Sequence, residues 1–281
     1  NWLYLGGYYT LLALLCVGLS GMTLTGDVFN LYVYLEIASL AGYGLIALGG
    51  NKGTVAAFRY LLIGTIAASL YLLGVAFMYA LTGSLNMADL SGLLQGQMDS
   101  PLIAMAVVLF IAAFGIKAAL FPFHGWQPDA YTFSHPGAAP LISGAMAKVP
   151  MYAMLRFFFY IFGAQHLFVQ HGLLIVGAFG AIAIILGSVM AIAQDDFRRM
   201  LAYSSIAQMG YVAMGMAIGR QELAIAAITD AGMALSIMES LGQSERHKEV
   251  IEVLTEKKKR AQQRQKEAKA HTRNVRFGKK K

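Results

Sequence analysis

The chain has 281 residues, 57% of them hydrophobic and only 13% charged, about half the charged share of a soluble domain. With a mean hydropathy of +0.57, this excludes a soluble globular protein and indicates a membrane one. A single cysteine, Cys16, excludes an internal disulfide, a thiolate metal cluster and a Cys-x-x-Cys redox pair.

The formal net charge of +7 is unevenly placed. Residues 1–220 carry eight Lys/Arg and seven Asp/Glu, whereas 221–281 carry fourteen and eight, so +6 falls in the last stretch. The sequence therefore reads as a nearly neutral membrane body followed by a basic extension. It opens on Asn1-Trp2, with no basic stretch before the first apolar run. That predicts no cleavable signal peptide and a fragment whose N-terminal helices are missing.

A transmembrane helix needs roughly 20 mostly apolar residues. In chain order, such runs fall at 4–25, 28–50, 54–82, 101–121, 139–162, 172–193 and 200–219. None shows the alternation of an outer-membrane strand, so the predicted fold class is all-α, a polytopic transmembrane helical bundle. The 30 glycines suit close helix packing in lipid.

Loop charges give the orientation. Lys52, with Arg59 just behind it, and Arg198 and Arg199 fall on one side, whereas the 26–27, 83–100 and 163–171 connections hold no Lys or Arg. The positive-inside rule places 51–53 and 194–199 in the cytoplasm. Arg220 is a single dissenting charge. Beyond it, 221–242 contains Asp230 and Glu239 and reads as a marginal eighth span. Residues 243–281 read as a basic soluble tail, helical and then disordered.

The stretch 121–140 is not an ordinary loop. Pro122, Pro128, Pro136 and Pro140 interrupt helix geometry, yet the residues between them are aromatic or weakly polar. Non-helical backbone at membrane depth is tolerated inside protein or beside a water-filled cavity, and transporters bind ions at such broken helices.

Three ionisable residues lie inside apolar runs. Glu36 sits about 12 Å along its span at 1.5 Å per residue, Lys117 just before the break, and Lys148 eight residues past Pro140. Each costs at least about 2.5–3.5 kcal/mol at bilayer depth. Burial disfavours the charged form of either group, while a close opposite charge favours it. A Lys–Glu pair thus keeps its lysine charged while paired and lets it release a proton when separated. Read singly, each residue could be structural, with a lysine snorkelling to the interface. Read together beside a break, they point to proton transfer. His124 and Asp129 flank the break and serve either as a relay or as caps for interrupted backbone; His135 is a further relay candidate. His166 and His171 fall in a polar connection. Asp195, Asp196, Arg198 and Arg199 form a loop cluster. Tyr203, Ser204, Ser205 and Gln208 line a polar stripe that would hold water or bond neighbouring helices.

Four segments carry a family resemblance: Gly26-Asp-Val-Phe-Asn-Leu-Tyr-Val-Tyr-Leu-Glu-Ile37; Phe114-Gly-Ile-Lys-Ala-Ala-Leu-Phe-Pro-Phe-His-Gly-Trp-Gln-Pro-Asp-Ala130; Lys148-Val-Pro-Met-Tyr-Ala-Met-Leu-Arg156; and Asp195-Asp-Phe-Arg-Arg-Met-Leu-Ala-Tyr-Ser-Ser-Ile-Ala-Gln-Met-Gly-Tyr211. They resemble the antiporter-like subunits of respiratory complex I (NADH:quinone oxidoreductase), multisubunit Mrp-type Na⁺/H⁺ antiporters and membrane-bound hydrogenases. The resemblance covers about residues 5–228. The segment at Glu36 and the stretch 84–90 look closest to the Mrp-type D subunit. The resemblance implies a fourteen-helix subunit of two inverted repeats, Glu36 and Lys117 as an ion-paired couple, and Lys148 as the next group on a central hydrophilic axis. The sequence departs from the pattern at its opening helices and near 229, and the resemblance then implies that the second half-channel's broken helix and its terminal proton group would be missing.

The expected protein is a proton- or cation-translocating membrane subunit, not catalytic alone, of an antiporter or NADH:quinone oxidoreductase-type complex. Its proton-transfer groups would be Glu36, Lys117, Lys148 and His124, with Asp129 and His135 as further relay candidates. No cofactor and no metal are expected. The partners are other membrane subunits, H⁺ with Na⁺ as a second candidate ion, and the lipid bilayer of a bacterial or archaeal inner membrane; no nucleic acid is expected. The alternatives are a quinone- or haem-binding redox subunit, with His124 and His135 as ligands, and an inactive fragment.

Overall fold

The computed structural model describes residues 2–164 and 166–219. The expected eighth span and basic tail lie outside the described residues. Among those described, the regular elements are helical: α1 (Trp2–Leu24), α2 (Val28–Ala47), α3 (Asn51–Thr82), α4 (Met87–Leu93), α5 (Pro101–Lys117), α6 (Gln127–Phe133), α7 (Ala139–Ala145), α8 (Lys148–Leu155), α9 (Leu167–Ile192) and α10 (Phe197–Ala217). A 3₁₀ turn, Phe123–Trp126, precedes α6, and a π-helical segment, Arg156–Ile161, follows α8.

Helices α1, α2, α3 and α9 are long and apolar enough to cross a membrane. Their outward faces carry exposed large apolar residues such as Ile66, Leu62, Ile185 and Val189, surface that lipid covers at no cost. Local sequence sets the boundaries. Asp27 opens α2 by accepting from the amides of Phe29 and Asn30 at 2.8 and 2.7 Å. Asp196 does the same for α10 through Arg198 and Arg199, at 2.8 and 3.1 Å. Both are side-chain N-caps that satisfy otherwise orphaned donors. Gly83 closes α3 at φ 69°, its amide donating to the Tyr79 carbonyl at 2.8 Å, the left-handed cap that glycine adopts without strain.

The expected run 101–121 ends as a helix at Lys117. Ala119 takes a left-handed φ of 52°, and the Leu120 amide returns to the Gly115 carbonyl at 2.8 Å. The expected run 139–162 is not one helix. It divides into α7 and α8 at Met146–Ala147 and ends in the π segment. Pro150 supplies the reason: without an N–H it leaves the Met146 carbonyl, four residues back, without its helical partner.

Two sets of connections gather at opposite ends, as the loop charges predicted. At one end the 26–27 and 83–86 connections pair: the Val28 amide donates to Leu85 and the Met87 amide to Gly26, at 2.9 and 2.8 Å. At the other end the turn between α2 and α3 packs on Phe133, against whose carbonyl oxygen a Cβ at Gly49 would collide. Arg199 reaches the same region from α10. Along the bundle, α9 and α10 pack closely through glycines; a Cβ on Gly180 would come within 2.8 Å of the Gly210 carbonyl oxygen and of the Ala213 Cβ. Small residues of this kind let helix backbones approach in lipid.

Candidate functional site

Glu36 lies midway along α2, one helical turn from Ser39, so the two share a face. Lys117 is the last residue of α5, buried to 2% exposure. The geometry brings all three together. The Lys117 ammonium donates to Ser39 Oγ at 2.7 Å and lies 3.7 Å from Glu36 Oε1. The contact with Glu36 is thus an ion pair, too long for a tight hydrogen bond. Ser39 in turn donates its hydroxyl proton to the Leu35 carbonyl at 2.6 Å. The C-terminal end of α5, with its partial negative charge, also favours the cation. A small cavity beside the pair is lined by Leu35, Ser39, Tyr60, Lys117, Met146 and Pro150, among others. It therefore reaches from the Lys117 pair to the junction of α7 and α8, where Lys148 begins the next helix.

Lys148 is 3% exposed and held by neutral oxygens. It donates to the Ser143 carbonyl and to Ser205 Oγ at 2.9 Å. Ser205 also accepts from Gln127 Nε2 at 2.9 Å, so one hydroxyl joins α6, α8 and α10. Pro150 serves the site indirectly, since the break it causes sets Lys148 at the start of α8.

An aromatic ladder lies between the two lysines. Lys117 Nζ stands 6.0 Å from the centroid of the Tyr43 ring, within cation–π range. Tyr43 meets Tyr60 edge-on at 4.7 Å, and Tyr60 stacks on Trp126 at 3.7 Å. Trp126 meets Tyr131 at 6.5 Å, and Lys148 Nζ stands 6.0 Å from the Tyr131 ring. Trp126 is fixed by donating Nε1–H to the Ile116 carbonyl at 2.9 Å. Thus the 3₁₀ turn contributes a rigid indole next to the residue that precedes Lys117.

The other residues singled out from sequence are placed as follows. His124 stacks on Phe121 at 5.5 Å, and its buried Nδ1 has no hydrogen-bond partner among the described residues. Asp129 is clamped by Arg59 at 2.9 Å and Arg199 at 3.2 Å, joining α3, α6 and α10 at the end predicted to be cytoplasmic. His135 accepts from the Gly137 amide at 3.2 Å through Nδ1 and packs on Tyr8 at 5.0 Å. His171, expected in a connection, lies in the first turns of α9 and is exposed. Of the expected loop cluster, Arg198 is not a loop residue in character. It is 7% exposed and donates to the carbonyls of Thr132 and Ser134 and to Ser134 Oγ, at 2.9, 3.2 and 3.1 Å. It thereby ties the end of α6 to the start of α10.

Sequence reasoning missed Ser39, Gln127 and the ladder. Ser39 had a signal: its spacing of three from Glu36 puts it on the same helical face. Gln127 stood inside the proline-rich break, where its amide is less conspicuous than the neighbouring aromatics and histidines. The ladder draws on α2, α3 and the break, and no periodicity within one segment reveals it.

A family model described as NADH:quinone oxidoreductase/Mrp antiporter, TM, matches residues 25–242. The N subunit of the NADH-quinone oxidoreductase of Desulforudis audaxviator is 52% identical over 214 residues, 76% of this chain and 42% of the relative. The D subunit of the Na(+)/H(+) antiporter of Alkalihalophilus pseudofirmus is 38% identical over 221 residues, 78% of this chain and 44% of the relative. The chain spans less than half the length of these curated relatives. A protein of the Mrp complex from Dietzia sp. superimposes with a TM-score of 0.72 at 28% identity, covering 82% of this chain and 43% of that one.

Proposed function

The chain belongs to the NADH:quinone oxidoreductase/Mrp antiporter transmembrane family, and from that premise we propose that it is a multi-pass, proton- or cation-translocating subunit of a bacterial or archaeal inner-membrane complex. Its partners are other membrane subunits of an antiporter or NADH:quinone oxidoreductase-type assembly. Relatives of both kinds support this, one from an oxidoreductase and one from an antiporter. The observation that carries the reading is the buried Lys117 on α5 facing Glu36 on α2 at 3.7 Å, with a cavity running on toward the start of α8.

The proposed chemistry is stepwise. While Glu36 is close, its charge holds the Lys117 proton in place. When the carboxylate moves away, the ammonium is left buried and unpaired, a costly state. It is relieved by giving one proton to water or to the next amine and becoming neutral. Lys148 receives the proton as a neutral amine and becomes an ammonium, with Ser143 and Ser205 accepting its N–H groups. The aromatic ladder keeps the space between the lysines dry apart from that path. His124, half-buried at the break, is the next proposed transfer group, with His135 as a relay candidate, while Asp129 is held between Arg59 and Arg199 as a fastening group.

The test is proton flux in inverted membrane vesicles holding the native assembly, comparing wild type with Lys117→Ala. Loss of flux, on the order of a hundredfold, with assembly intact supports the reading. Unchanged flux overturns it.

A further inference from the structure

We infer that Ser39 is a positioning residue that holds the Lys117 side chain in place in both of its protonation states, and so sets the distance across which Lys117 and Glu36 couple. This rests on the proposed role of Lys117. The ammonium is not centred on the carboxylate: it is 2.7 Å from Ser39 Oγ and 3.7 Å from Glu36 Oε1. Ser39 is itself buried to 4% exposure. Its hydroxyl proton is committed to the Leu35 carbonyl at 2.6 Å, which leaves only lone pairs to present to Lys117.

That commitment decides what the serine can do. An ammonium has three N–H donors and a neutral amine keeps two, so a hydroxyl oxygen can accept from either. A carboxylate attracts the ammonium strongly and the neutral amine only weakly. With Glu36 alone, loss of the proton would leave the amine without a strong acceptor beside a cavity of about 10 Å³ lined by Leu19, Met22, Ala38 and Met146. With Ser39 present, the amine stays where it was and is reprotonated at the same point. Holding a reacting group within a fraction of an ångström is worth large factors in rate. The second lysine repeats the device: Lys148 rests on Ser205 Oγ at 2.9 Å, again a serine hydroxyl from a neighbouring helix.

The test compares three substitutions in the assembled complex, with flux expressed per amount of assembled subunit and Lys117→Ala measured alongside. Ser39→Thr keeps the hydroxyl, and a helical threonine can make the same bond to the carbonyl four residues back. Ser39→Cys keeps nearly the same volume with a weak acceptor, and Ser39→Ala removes the acceptor. The expected result is flux within about threefold of wild type for Thr, and about tenfold or greater loss for both Cys and Ala. Wild-type flux in Cys or Ala overturns the inference, as does equal loss in all three, because the hydroxyl would then not be what matters. Failure of all three to assemble also overturns it and assigns Ser39 to packing. If Lys117→Ala leaves flux unchanged, the proposed function fails; if it abolishes flux while Ser39→Ala does not, only the inference about Ser39 fails.

Discussion

The indole of Trp126 lies flat on the ring of Tyr60, with centroids 3.7 Å apart and planes inclined by 7°. This stack joins the proline-broken segment to α3 at the middle of the ladder between Lys117 and Lys148. Both rings are fully buried. Trp126→Ala is expected to cost about 3–5 kcal/mol, the loss typical of emptying a buried aromatic site. Trp126→Phe keeps a ring but loses the hydrogen bond to the Ile116 carbonyl, about 0.5–1.5 kcal/mol, since that carbonyl keeps the Ala119 amide at 3.1 Å. Thermal unfolding in detergent, read by the midpoint shift, would rank wild type, Phe and Ala in that order. An Ala variant as stable as wild type would show that the ladder does not hold the break in place.

Asp129 offers a clean separation of a transfer role from a fastening role. Its two arginine partners, Arg59 and Arg199, come from α3 and α10. The pair with Arg59 is well exposed on the arginine side, so its worth is modest. Asp129→Asn is expected to lower stability by about 1 kcal/mol and to leave flux within about twofold of wild type. A tenfold fall in flux at unchanged stability would instead assign Asp129 to the relay.

Arg198 makes a stronger demand on the fold. Two backbone carbonyls and a hydroxyl accept from its guanidinium in a buried site. Arg198→Ala is expected to cost about 3 kcal/mol or more, since bonds to a charged donor are each worth about 1.5–3 kcal/mol. Arg198→Lys should not restore it, because an ammonium cannot reproduce the planar fork. Midpoints of thermal unfolding for the two variants would check this, and a Lys variant equal to wild type would contradict it.

Lys148 is expected to trade stability against activity. It is a buried amine held by neutral oxygens, a costly arrangement when charged. Lys148→Met fills similar volume without the charge, and is expected to leave the unfolding midpoint unchanged or raised while flux falls by about a hundredfold. A large drop in stability would show that Lys148 is there for the fold.

The membrane class and the all-α architecture were legible in the sequence, because hydropathy over about 20 residues is a local property. So were the grouping of connections at the two ends, from where Lys and Arg fall, and the pairing of Glu36 with Lys117, which the family resemblance implied. Other features were not local. Whether 139–162 is one helix depended on the backbone donor that Pro150 lacks. Arg198 looked like a loop charge because nothing within its own segment names Thr132 and Ser134 as its acceptors.

The sequence by itself determined that Glu36, Lys117 and Lys148 fall inside apolar runs, since hydropathy carries that information residue by residue. Only the tertiary structure decided what each of them touches. Lys117 and Ser39 are 78 positions apart, and Lys148 and Ser205 are 57. At such separations a hydrogen bond is set by how helices pack, and helix packing in lipid is chosen by small residues and interhelical polar contacts that no single segment contains.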